Sequence, residues 1–272
     1  MRKELRIIYE RPFVVENIEG YVGELPDLDI EPVILDGPKG IGKTLAVLNW
    51  AKQRDYRVLS IECNEEMGYS QIIGCYGAMG QDVYFSLGII PTIVELAQNW
   101  KFVALFEEIN ALNPSAQKML NSLLDIKGGV TVKELGSRYS FDPEIRSNVK
   151  LVATMNPSFY GGVYKLNEDL RSRFNIIKMG YPDQETEKKI LKIHCNDEEI
   201  IDKLIRLANE TRSGGFVYAL SPRDLVQALK IYSSKGLIGM LRILAGKFEE
   251  VDLTTYYERI IGLFEVDYGL VR

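Results

Sequence analysis

The sequence predicts an α/β fold, a mostly parallel sheet covered by helices, followed by a smaller all-helical domain. Three observations carry this. Up to about Tyr181, short continuous apolar runs alternate with helical patterns, as expected of strands buried on both faces and joined by crossover helices. One of these runs leads directly into a glycine-rich loop that ends in a lysine and a threonine. After Tyr181-Pro182 the strand signal stops and only helical patterns follow. The expected division is therefore residues 1–182 for the α/β domain and 183–272 for the helical lid domain.

The elements follow in order. Residues 32–35 (Pro-Val-Ile-Leu) read as a strand before the glycine loop, and 45–53 as the helix after it. Residues 57–61 alternate and are rich in β-formers, so they form a second strand. Residues 102–106 are an apolar run that ends in two glutamates, and 149–154 and 175–179 are two further short apolar runs. In the second half, 185–195, 198–209, 222–233, 237–248 and 253–264 read as helices. Ser221-Pro222-Arg223-Asp224 is a strong helix start: serine caps, proline suits the first helical position, and aspartate favours the first turn.

Composition narrows the function. The 272 residues are 46% apolar and 26% charged, as in ordinary globular chains, which argues against overall disorder. A net charge of −5 and a pI near 5.2 argue against a protein that coats nucleic acid, which needs a basic surface. Cys63, Cys75 and Cys195 have no metal-ligand spacing, and an odd cysteine count points to a reducing compartment. The single histidine, His194, reads as a helix-surface residue. No stretch approaches the roughly 20 apolar residues of a membrane span, so the expectation is a cytoplasmic protein without a membrane segment.

Gly37-Pro38-Lys39-Gly40-Ile41-Gly42-Lys43-Thr44 fits the phosphate-loop pattern G-x-x-x-x-G-K-[ST]. Glycines let successive backbone N–H groups turn toward phosphate oxygens without a Cβ in the way. The following helix aims its N-terminal dipole at the same anion. Lys43 supplies a cation for the outer phosphates and Thr44 a hydroxyl for Mg²⁺. In Glu107-Glu108, at the end of the 102–106 run, Glu107 reads as the metal carboxylate and Glu108 as the group that orients or deprotonates the attacking water. Asn156, at the tip of a third buried run, reads equally as a γ-phosphate sensor or as part of an Asn-Pro turn. Arg171, Arg173 and Arg223 suit phosphate charge because guanidinium is planar and always ionised; surface salt bridges are the competing reading.

The run Ala104-Leu105-Phe106-Glu107-Glu108-Ile109-Asn110-Ala111-Leu112 resembles the second nucleotide motif of MoxR-like and McrB/dynein-related AAA+ ATPases. So do Ala153-Thr154-Met155-Asn156-Pro157, Gly161-Gly162, and Leu166 through Phe174, while Leu220-Ser221-Pro222-Arg223-Asp224-Leu225 resembles that family's sensor-2 helix. The resemblance implies an ATP- and Mg²⁺-dependent P-loop NTPase that works as a homo-oligomer, a hexameric ring. It implies that Asn156 is sensor 1, that Arg173, with Arg171 as the lesser candidate, is the finger reaching a neighbour's nucleotide, and that Arg223 is sensor 2. Segments 71–88 and 128–139 stand where the family carries an insertion in helix 2 and a hairpin before sensor 1.

The leading expectation is an oligomeric ATPase that remodels a protein or macromolecular assembly, and the resemblance implies a protein client or a von Willebrand factor A-type partner. For so short a chain, the expectation is that any client is recognised by the module itself or by a separate partner. Two alternatives stay open. One is a McrB-like motor, possibly GTP-dependent, in a nucleic-acid machine. The other is a nucleotide-dependent scaffold with slow hydrolysis, because the family usually has aspartate where the longer Glu107 stands.

Overall fold

The computed structural model describes residues 4–7, 12–15, 23–125, 128–157 and 164–271. Contacts divide these into two units. Of the described residues, the first contains those within 1–18, 25–37 and 43–179, and the second those within 19–24, 38–42 and 180–272.

The first unit is built on β1 (Glu4–Ile7), β2 (Val33–Asp36), α1 (Lys43–Gln53), β3 (Arg57–Glu62), α2 (Tyr69–Ile72), β4 (Gly74–Met79), β5 (Asp82–Leu87), α3 (Ile89–Ala97), β6 (Phe102–Glu107), α4 (Pro114–Leu124), β7 (Gly129–Val132), β8 (Ser137–Ser140), α5 (Pro143–Arg146), β9 (Val149–Met155), α6 (Glu168–Arg171) and β10 (Asn175–Lys178). Five strands form an all-parallel sheet in the order β10-β2-β9-β6-β3. This is the parallel α/β fold predicted for a P-loop NTPase of the AAA+ type.

The apolar runs are continuous because both faces of the sheet are covered. Ile34, Phe102, Ala104, Phe106, Leu151 and Ala153 face a core shared with Ile90 and Ile93 of α3 and Leu120 of α4. Their sequence neighbours Val33, Leu35, Val103, Leu105 and Val152 face the other way, onto Val47, Trp50 and Ala51 of α1. Each fully buried side chain of this size contributes about 1.5–3 kcal/mol, so the three central strands anchor the unit. The polar tips of the same strands then fall at one edge of a rigid layer.

Both expected insertions are antiparallel ribbons. Segment 71–88 holds β4 and β5, with β1 alongside β5. Segment 128–139 holds β7 and most of β8, whose pairing runs from Gly129–Ser140 to Val132–Ser137. Tyr76 Oη donates to the Glu134 carbonyl at 2.8 Å and Tyr69 Oη to Glu134 Oε2 at 3.3 Å, so the two ribbons are tied to each other. The Gly161-Gly162 pair lies outside the described residues.

The second unit is helical: α7 (Gln184–Lys192), α8 (Glu198–Glu210), α9 (Pro222–Ala245), α10 (Glu250–Phe264) and α11 (Tyr268–Val271). Asp183, Asp197 and Ser221 cap α7, α8 and α9 through their side-chain oxygens. The sequence reads two helices over 222–233 and 237–248; the chain runs helically from Pro222 to Ala245 but breaks at Gly236, where φ is +69°. His194 follows the last residue of α7 rather than lying on its surface, and its N–H donates to the Leu191 carbonyl. No helix among the described residues is long and apolar enough to cross a membrane.

Candidate functional site

The loop from β2 to α1 carries two glycines in left-handed backbone conformations, Gly40 at φ +76° and Gly42 at φ +95°. A side chain is strained there, and at Gly40 a Cβ would also stand 2.4 Å from Ser221 Oγ. These conformations are what an anion loop needs to present successive N–H groups. One residue upstream, the buried Asp36 would repel phosphate. Its neighbour across the sheet, Lys178, forms an ion pair with it and offsets that charge.

Lys43 opens α1 and is buried, with 8% of its surface exposed. Its Nζ donates to the Gly37 carbonyl at 2.7 Å and to Asn156 Oδ1 at 3.0 Å. The tip of β9 and the start of α1 therefore meet at the lysine. Asn156 is itself held from behind, because Asn110 Nδ2 donates to its carbonyl at 2.8 Å. Asn156 thus turns its side chain to Lys43 and its carbonyl to Asn110.

Thr44 Oγ1 donates to Glu107 Oε2 at 2.8 Å, and Ser60 Oγ donates to Glu107 Oε1 at 2.5 Å. Thr44 and Glu107 are hard oxygen donors, a set that suits Mg²⁺ rather than a softer metal. With its proton committed to Glu107, the Thr44 hydroxyl keeps its lone pairs for a cation. The residues present therefore fit a magnesium nucleotide.

Glu108 is exposed and adopts φ 53°, ψ 48°, in the left-handed region. For a residue with a Cβ this costs on the order of 1 kcal/mol and persists only where neighbours hold it. Here Thr154 Oγ1 accepts from the Glu108 N–H at 3.2 Å. The backbone thus turns sharply after β6, so that Glu107 and Glu108 cannot point the same way: the first is seated on Thr44 and Ser60 while the second faces solvent. Cys63 lies beside the pair, its N–H donating to the Glu107 carbonyl at 2.9 Å. Burial pushes its thiol up to about 12, with Glu107 and Glu108 adding to the shift, so it stays a neutral thiol rather than a nucleophile.

The arginines make other contacts. Arg173 is exposed, and its Nη2 pairs with Asp125 Oδ1 at 3.0 Å. Arg171 ends α6 and is exposed. In the second unit, Arg223 sits in the first turn of α9 with an exposed side chain, and its backbone N–H donates to the Gly40 carbonyl at 3.3 Å. Pro38, Lys39 and Ile41 are placed in the loop by chain continuity; Lys39 is exposed and Ile41 buried.

Ser60, Thr154 and Asn110 escaped the sequence reading as site residues. Ser60 left a signal, a lone hydroxyl inside the β-forming run 57–61. Thr154 and Asn110 stand inside quoted motifs, but nothing in their spacing assigns them partners.

Residues 32–174, more than half of the chain, match the family described as AAA domain (dynein-related subfamily). The uncharacterized protein YojN of Bacillus subtilis is 26% identical over 180 residues, 65% of this chain and 58% of YojN. The chain thus spans a little over half the length of that relative. An uncharacterized protein of Staphylococcus aureus is 24% identical over 188 residues, 66% of this chain and 68% of its own. Among solved structures, a Cytophaga hutchinsonii protein provisionally named an ATPase aligns with a TM-score of 0.45 at 19% identity, covering 82% of this chain and 74% of its own.

Proposed function

The chain belongs to the dynein-related subfamily of AAA domains, and from that membership we propose that it binds and hydrolyses ATP with Mg²⁺ in an oligomeric ring that remodels a protein client. The observation that carries the catalytic half is the convergence of three element ends, with Lys43 on Asn156 and Thr44 on Glu107. A bound Mg²⁺ would neutralise phosphate charge and polarise the transferring group. Lys43 and the loop N–H groups bind the phosphates, and Thr44 and Glu107 hold the cation. Asn156 reports on the outer phosphate, and Glu108, free of the metal carboxylate's contacts, orients the water and takes its proton. Residues 183–272 act as the helical lid, with Arg223 as its phosphate contact. Arg173, with Arg171 as second choice, serves the neighbouring subunit.

The β4–β5 ribbon, unlike the β7–β8 ribbon with its Lys133 and Arg138, supports a protein client over a nucleic acid. Segment 74–87 contains no lysine or arginine and carries Tyr76 and Val83 exposed, 43% and 44%. A surface that gripped phosphodiester backbone would need cations there. A von Willebrand factor A-type partner accords with the MoxR-like resemblance.

Steady-state phosphate release at rising protein concentration, with and without DNA, tests the reading. Specific activity that climbs with concentration and ignores DNA is the expected outcome. Stimulation by DNA would move the protein to the nucleic-acid machines, and binding without release to the scaffolds.

A further inference from the structure

Glu107 is held on both carboxylate oxygens, by Thr44 on Oε2 and by Ser60 on Oε1. The second contact comes from β3, the strand beside β6 in the sheet. Ser60 is in register with Leu105, two residues before Glu107, and so projects from the same face of the sheet. That face is the one covered by α1, where β3 otherwise presents the apolar Val58 and β6 presents Val103 and Leu105. A half-buried hydroxyl in this apolar layer would be a poor choice without a partner, and its partner is the Glu107 carboxylate.

A glutamate has one more rotatable bond than an aspartate, so its carboxylate samples more positions around a ligand. Fixing one oxygen removes that freedom before any cation arrives and leaves the other oxygen turned to Thr44. We propose that Ser60 is a positioning residue that presets Glu107 for the divalent cation. This rests on the reading that Thr44 and Glu107 hold that cation. Ser60 touches neither cation nor nucleotide in this scheme; it acts through Glu107 alone.

The test is the affinity of the intact chain for a fluorescent ATP analogue, measured in Mg²⁺ and again in EDTA. The ratio of the two affinities reports the cation's share of binding and needs no turnover. A hydrogen bond to a charged group is worth about 1.5–3 kcal/mol, so Ser60→Ala should lower the ratio about 10-fold or more while leaving the EDTA affinity unchanged. Ser60→Thr, which keeps the hydroxyl, should hold the wild-type ratio, whereas Ser60→Cys, a weak donor of similar size, should fall with alanine. In a Glu107→Asp background the shorter side chain no longer reaches Ser60, so Ser60→Ala should have little further effect. An unchanged ratio in Ser60→Ala, or an equal loss in both backgrounds, overturns the proposal. Glu107→Gln separates the two levels: if its ratio stays at the wild-type value, the metal reading itself fails, whatever Ser60 does.

Discussion

Thr44 Oγ1 donates to Glu107 Oε2 at 2.8 Å across 63 residues of chain, joining the first turn of α1 to the tip of β6. Glu108, the next residue, has no share in that contact because its left-handed backbone turns it away. The two glutamates should therefore fail differently. Glu107→Gln should lose the Mg²⁺-dependent part of nucleotide affinity. Glu108→Gln should keep it and hydrolyse at least about a hundredfold more slowly, the scale of losing a positioned base. Nucleotide titration and phosphate release on both variants check this; a Glu107→Gln protein that binds Mg²⁺ normally but turns over more slowly than Glu108→Gln reverses the assignment.

Lys43 is the buried cation of the site, shared between the Gly37 carbonyl and Asn156. Lys43→Met keeps most of the apolar stem and removes the charge. Affinity for an ATP analogue should drop about 10- to 100-fold, the worth of one charge-assisted hydrogen bond or two. The melting temperature should move little, which calorimetry on the same sample would show. Undiminished affinity would remove Lys43 from the site.

Arg173 is held in its own chain by Asp125 at 3.0 Å. An exposed pair of this kind is worth about 1 kcal/mol at most, so it is a contact a neighbour's phosphate can outbid. Arg173→Ala should bind ATP normally and hydrolyse it on the order of 10³-fold more slowly. Mixed with Glu108→Gln, it should regain activity wherever an intact Glu108 meets an intact Arg173 across an interface. Asp125→Asn should raise the rate no more than a few-fold. Inactive mixtures, in assemblies shown to exchange subunits, would argue against a shared site.

In the helical unit, Arg212 grips Glu187 with two hydrogen bonds, 2.9 and 2.8 Å, while its Nε donates to the Leu220 carbonyl at 2.7 Å and its guanidinium lies over the Tyr181 ring. The side chains are 8% and 1% exposed. Removing one partner leaves a buried charge, so Glu187→Ala or Arg212→Ala should cost about 3–5 kcal/mol in denaturant unfolding. Replacing both with leucine should cost clearly less than the sum of the single changes. Additive losses would mean the pair is not coupled.

The Cys63 thiol, pushed up to about 12 from 9.0 by burial first and the two glutamates second, stays protonated well above its ordinary range. Unfolding releases it to ionise near 9.0, so the contribution of this group is complete below pH 9 and is lost as pH rises toward 12. At pH 8, a thiol reagent should label the exposed Cys75 and spare Cys63 until denaturant is added. Mass spectrometry of the labelled peptides checks the order. Early labelling of Cys63 would show that β3 opens readily in the native state.

What the sequence determined by itself was whatever depends on spacing along the chain. The glycine loop, with Lys43 and Thr44 at its end, is local chemistry: glycines for left-handed turns, then a helix start. The central strands were legible because burial on both faces demands uninterrupted apolar runs such as 102–106, and the change to helices after Tyr181 because helical periodicity replaces them. Other elements left no such mark. α3 is buried at all but one of its nine residues, so no polar face marks it, and β4 and β5 form a ribbon whose exposed Tyr76 and Val83 hide the alternation. Only the tertiary structure decided which polar tips meet. Ser60 and Glu107 are 47 residues apart, Lys43 and Asn156 are 113 apart, and Asp125 and Arg173 follow different helices, α4 and α6. The reason is geometric. The strand order β10-β2-β9-β6-β3 interleaves distant parts of the chain, and that order is set by the packing of both sheet faces rather than by any residue type a reader could find along the line.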